Sequence, residues 1–128
     1  MTAGSSSPPR VLCVDDNRDS SDMTALLLRF CGFDAQACYN GHDALKLAQE
    51  FSPDVCFIDL NMPGMDGDEL AVQLRQQAVG RPLKLVALTA MSSADAVRRT
   101  TAAGFHAHLV KPADPAVLIR LAGTGAGA

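Results

Sequence analysis

The stretch Val55-Cys56-Phe57-Ile58-Asp59-Leu60-Asn61-Met62-Pro63-Gly64-Met65-Asp66-Gly67 opens with an apolar run, stops it on a carboxylate and continues into a Pro/Gly-rich segment. A run this short and this apolar reads as a strand buried on both faces, the kind found in parallel sheets. Three other runs repeat the pattern. Val11 to Val14 stops on Asp15-Asp16, Leu83 to Leu88 on Thr89, and Leu109-Val110 on Lys111, and helix-like sequence follows each. Strands of a parallel sheet all point one way, so residues that end successive strands meet along one edge, where open α/β sheets bind ligands. Asp15, Asp16, Asp59, Thr89 and Lys111 are therefore expected to share one site.

Working outward, strand-like and helix-like patterns alternate from Arg10 onward, which predicts five βα units wound around a parallel sheet. The first helix is expected from about Asp19 to Cys31, with Met23, Leu26, Leu27 and Phe30 on its apolar face and Gly32 as its stop. Asp34 to Cys38 reads as a weak second strand. Asn40 is placed to cap a helix carrying Ala44, Leu45, Leu47, Ala48 and Phe51, closed by Pro53. After Asp59, Asn61 to Gly67 should be an ordered, non-helical loop leading into a helix from Asp68 to about Ala78 with Leu70, Ala71 and Leu74 inward. Ser92 or Ser93 can cap the next helix, which runs to Ala103 and stops at Gly104. A fifth strand, about His106 to Val110, and a helix from Pro115 to about Ala122 complete the pattern.

The ends of the chain differ from its middle. Residues 1–9 are Ser-rich, finish on Pro8-Pro9 and hold little that could pack, so a disordered N-terminal tail is expected. Residues 10–122 form the predicted domain, and residues 123–128 a Gly/Ala-rich C-terminal tail. The spaced glycines Gly123, Gly125 and Gly127 imitate part of a dinucleotide fingerprint, but no strand closely precedes them and no helix follows.

Bulk properties narrow the function classes. A chain of 128 residues suits one domain, and a composition 48% hydrophobic and 20% charged with net charge -3 fits neither a disordered acidic tail nor a basic nucleic-acid binder. No apolar stretch approaches the roughly 18 residues of a membrane span, and no charged n-region precedes an apolar core at the start. A cytoplasmic protein without membrane or direct nucleic-acid binding is the expectation. Cys13, Cys31, Cys38 and Cys56 form no C-x-x-C pair and lie near none of His42, His106 and His108, so they read as small thiols rather than zinc ligands.

Three carboxylates at one strand edge repel one another, and a single lysine offsets only part of that charge. A divalent cation resolves the conflict, and all-oxygen ligands favour Mg2+ or Mn2+. Phosphoryl transfer asks a protein mainly for positioning and charge stabilisation. In that chemistry Asp59 is the candidate nucleophile, Asp15 and Asp16 hold the metal, Lys111 pairs with a phosphoryl oxygen and Thr89 donates its hydroxyl to another.

These residues resemble the response-regulator receiver domain, the CheY-like phosphoacceptor module of two-component signalling. The most specific stretch is Asp59 to Gly67; Val14-Asp15-Asp16-Asn17 resembles the family's acidic pair, Leu88-Thr89-Ala90 its switch hydroxyl and Leu109-Val110-Lys111-Pro112 its lysine segment. The resemblance spans about Arg10 to Leu121. It implies a flavodoxin-like, doubly wound five-stranded parallel sheet of order 2-1-3-4-5 with helices on both faces, an order for which CheY is a standing example. It implies a metal held by Asp16, Asp59 and the backbone carbonyl of Asn61, with Asp15 acting partly through water. A cis Lys111-Pro112 peptide follows from the same likeness, as does a phosphate-binding role for Ala90 beside Thr89. Asn61 and Met91 occupy positions that resemble the family's modulators of acyl-phosphate lifetime; Met91 can shield a phosphate from water but cannot orient a hydrolytic one. The implied donor is a sensor histidine kinase or a histidine phosphotransfer domain, and the implied docking surface is helix 4, strand 5 and helix 5, in a monomer or weak dimer.

One departure stands out. Three residues before the lysine the family often carries Tyr or Phe as a rotating switch, and this chain has His108, which makes that position a switch candidate with a titratable ring. Among competing classes, a haloacid-dehalogenase-type hydrolase would want an Asp two residues after Asp59, where Asn61 stands. A calcium loop starting at Asp59 fails at Pro63 and Leu70. A receiver acting as a scaffold without phosphorylation conflicts with the complete set of site residues. Since only a Gly/Ala tail follows the receiver, output is expected from a partner, an excised polypeptide or onward transfer.

Overall fold

The structure is a computed structural model that describes residues 8–90 and 93–124. Five βα units follow one another: β1 (Arg10–Val14), α1 (Arg18–Phe30), β2 (Asp34–Cys38), α2 (Gly41–Phe51), β3 (Val55–Asp59), α3 (Gly67–Gln77), β4 (Lys84–Thr89), α4 (Ala94–Ala103), β5 (Ala107–Val110) and α5 (Pro115–Thr124). All strand pairs are parallel, as the apolar runs predict, and the order is β2-β1-β3-β4-β5, as the family resemblance implies. Every residue of β3 is buried, which explains its unbroken apolar run.

Alternation along the strands divides the core between the two faces of the sheet. Leu12, Val14, Cys56, Ile58 and Leu85 meet Ala44 and Ala48 of α2 and Leu70, Ala71 and Leu74 of α3. Val11, Cys13, Phe57, Val86 and Leu88 meet Ala25 and Leu28 of α1 and Leu118 and Ala122 of α5. Polar side chains start the helices: Asn17 accepts from Ser20 N at 3.0 Å, Asn40 from Asp43 N at 2.8 Å, and Ser93 from Ala96 N at 3.2 Å. Gly104 ends α4 at φ +94°, a left-handed conformation that favours glycine. Cys13, Cys38 and Cys56 are buried and Cys31 is exposed.

Two expectations need correction. The inward face of α1 is Ser21, Ala25 and Leu28, whereas Met23 is 63% and Phe30 87% exposed, with Leu26 also exposed. The rotation is fixed by Ser21, whose hydroxyl donates to the carbonyls of Cys13 at 2.8 Å and Cys38 at 3.0 Å. These contacts and the small Ala25 let the helix lie close on β1 and β2. The second correction is at the C-terminus, where α5 runs through Gly123 to Thr124 instead of ending at Ala122. Leu118 and Ala122 anchor its last turns in the core, and this outweighs the roughly 1 kcal/mol by which glycine disfavours helix. Residues 1–7 and 125–128 of the expected tails (1–9 and 123–128), and the expectations on Met91 and Ser92, lie outside the described residues.

Candidate functional site

The C-terminal ends of β1, β3, β4 and β5 converge on one edge. Asp59 ends β3, Asp15 and Asp16 follow β1, Thr89 ends β4 and Lys111 follows β5. Asp15, Asp59 and Thr89 are buried, while Asp16 is exposed at the rim. One carboxylate oxygen from each of Asp15, Asp16 and Asp59 can be chosen so that all lie within 4.8 Å of one another. Lys111 Nζ lies 2.8 Å from Asp15 Oδ2 and 3.5 Å from Asp59 Oδ1. The strands thus join Asp15 to Lys111 across 96 positions of sequence.

The two buried carboxylates respond differently to this setting. Burial pushes Asp15 up, but the Lys111 hydrogen bond, the Asn17 amide at 3.0 Å and the Lys111 charge outweigh it, so its pKa falls below the usual range. Asp59 is pushed up to about 6, chiefly by burial and further by the Asp15 charge, against the pull of Lys111 and the Asn61 amide. That amide donates to Asp59 Oδ1 at 3.3 Å. For Lys111, burial opposes the charge, yet the bonds and charges of Asp15 and Asp59 raise its pKa overall.

The loop after Asp59 is drawn tightly against it. Gly67 N donates to Leu60 O at 3.1 Å, and a Cβ on Gly67 would stand 2.6 Å from Asp59 O and 2.9 Å from Leu60 Cα, backbone atoms that cannot move aside. Farther along the loop, Met65 fills the space above Gly41, where a Cβ would meet its sulfur at 2.6 Å. Arg99 of α4 reaches the same loop: Nε pairs with Asp68 Oδ2, Nη2 lies 3.9 Å from Asp66 Oδ2, and Nη2 donates to Leu60 O at 3.4 Å. No sequence pattern singled out Arg99, because its partners lie on another βα unit. Gly67 is visible in sequence as a loop residue, but its close approach to Asp59 is not.

The remaining site residues take up varied positions. The Thr89 carbonyl accepts from Lys111 N at 2.7 Å, tying the two strand ends together, and Ala90 follows, exposed. Asn61 is exposed beside Asp59. His108 is half-buried on β5 opposite Ala87, upstream of the Thr89–Val110 pair. The Lys111–Pro112 peptide is cis.

Oxygen donors from three carboxylates beside one ammonium leave a local formal charge of -2 (three negative, one positive). This donor set fits a hard divalent cation. The family model for the response regulator receiver domain matches residues 11–122. The chain belongs to that family. A receiver is a signalling phosphoacceptor of two-component systems, which gives the acidic cluster its context.

Relatives of this receiver occur in different protein contexts. It is 40% identical over 111 residues to the sensor histidine kinase GacS of Pseudomonas protegens, a match covering 84% of this chain and 12% of that protein. It is 38% identical over 112 residues to the transcriptional regulatory protein PrrA of Mycobacterium leprae, covering 88% of this chain and 47% of that one. The receiver therefore spans less than half the length of either relative. Among solved structures, the chemotaxis protein CheY4 of Vibrio cholerae superimposes with a TM-score of 0.84 at 30% identity, covering 90% of this chain and 96% of that one. Among the described residues no helix is long and apolar enough to cross a membrane.

Proposed function

We propose that Asp59 accepts a phosphoryl group from a phosphohistidine on a sensor histidine kinase or phosphotransfer domain, in a Mg2+-dependent reaction that Mn2+ also supports. The observation that carries this reading is the Asp59 carboxylate itself, buried, crowded by Asp15 and faced by the Lys111 ammonium at 3.5 Å. An Asp59 oxygen attacks phosphorus, the P–N bond to the donor imidazole breaks, and an acyl phosphate forms. Asp15, Asp16, Asp59 and the Asn61 carbonyl are the residues that would hold the cation, Asp15 partly through water. When bound, the cation would offset the carboxylate charge and draw charge from the phosphoryl oxygens. Lys111 pairs with one phosphoryl oxygen and so gives up part of its hold on Asp15. Thr89 donates its hydroxyl to another, with the Ala90 backbone alongside.

Movement of Thr89 toward the phosphate repopulates the surface of α4, β5 and α5, where a protein partner docks, and His108 on β5 takes the switching position. Asn61 and Met91 set the lifetime of the acyl phosphate through their control of water. The receiver works in the cytoplasm as a monomer or weak dimer. Incubation with acetyl phosphate and Mg2+, followed by intact-mass measurement, should add one phosphoryl group to the wild type and none to Asp59→Asn. Equal uptake by the variant would remove Asp59 from this role.

A further inference from the structure

Arg99 stands outside the strand-end site, yet it touches the backbone one residue from the nucleophile. Its guanidinium is anchored by Asp68, with Asp66 farther off, and its Nη2 reaches Leu60 O at 3.4 Å. The Leu60 carbonyl and the Asn61 N–H belong to one peptide unit, and a peptide unit is planar. That N–H is the donor to Asp59 Oδ1 at 3.3 Å. Holding the carbonyl on one side of the plane therefore aims the amide on the other. Leu60 O also accepts from Gly67 N at 3.1 Å, so two donors occupy its two lone pairs and fix the plane from α3 and α4 together.

We propose that Arg99 is a positioning residue that orients the Asp59 carboxylate through the Leu60–Asn61 peptide plane. The planar fork of arginine suits the task, because Nε and Nη2 engage Asp68 and Leu60 O at once, whereas a lysine ammonium is a point charge on a flexible stem. The other oxygen of Asp68, Oδ1, is buried without a hydrogen-bond partner among the described residues, so the Arg99 pairing accounts for that carboxylate's bonding. Arg98, next in the chain, pairs with Asp95 on the exposed face of α4 and serves as the control.

The proposal rests on Asp59 being the phosphoacceptor, and its test separates the two. In the metal-free protein, the Asn61 amide proton of Arg99→Gln is expected to shift upfield and exchange faster than in the wild type. With acetyl phosphate and Mg2+, the same variant is expected to gain phosphate about three- to tenfold more slowly, since Gly67 still holds the carbonyl. Arg99→Lys should restore neither property, Asp68→Asn should reproduce both in part, and Arg98→Gln should change neither. An unaltered Asn61 amide and rate in Arg99→Gln, or full rescue by lysine, would overturn the proposal. Phosphate uptake by Asp59→Asn would instead count against the phosphoacceptor reading, while the amide measurement would still decide on Arg99.

Discussion

Asp59 carries its charge against the preference of its surroundings. Burial and the Asp15 carboxylate raise its pKa to about 6, so the folded chain holds this proton more tightly than the unfolded chain does. A raised pKa contributes stability that is complete below the unfolded value near 4 and disappears as pH rises through about 6. In the metal-free protein at pH 8 the ionised Asp59 is therefore a liability. Asp59→Asn should stabilise it by about 1–3 kcal/mol there, and the gain should fade as pH falls from about 6 toward about 4. Urea unfolding in the presence of a chelator checks both the sign and the pH window. The buried carboxylate that ends β3 is thus a source of instability in the folded chain.

Among the elements, α1 separates what apolar spacing can convey from what it cannot. Met23, Leu26, Leu27 and Phe30 recur at helical spacing and identify a helix correctly, but the buried stripe is Ser21, Ala25 and Leu28. Large apolar side chains dominate a spacing rule, whereas the sheet selected the small ones that permit close approach and the hydroxyl that serves two strand carbonyls. Phe30→Ser should consequently change the unfolding free energy by less than about 0.5 kcal/mol, while Leu28→Ala should cost about 2–5 kcal/mol. Equal losses in chemical denaturation would return Phe30 to the core. The strands were far more legible, because burial on both faces leaves an unbroken apolar run with a defined end, and the site residues are those ends. Arg99 and Gly67 were not legible, since their importance lies in a contact between units and in a missing Cβ.

Over the whole molecule, four strands deliver carboxylates, a hydroxyl and an ammonium to one edge, and a cation held by the acidic excess there would link its binding to stability. A cation that binds only the folded chain should raise the unfolding free energy by RT ln(1 + [L]/Kd), about 1.4 kcal/mol at a concentration tenfold above Kd. Titrating Mg2+ against the thermal midpoint should show this rise in the wild type and a smaller one in Asp59→Asn, which keeps only two of the three carboxylates. A midpoint unaffected by Mg2+ would mean that the cluster does not select the cation.

The pairing of Lys111 with Asp15 joins the residue after the first strand to the residue after the last one. A chain emerging from the ribosome, or one nicked before β5, has its acidic residues but lacks the ammonium that faces them. The cation that faces Asp15 and Asp59 then arrives only with the final βα unit, so the strand-end cluster is completed last as the chain is made.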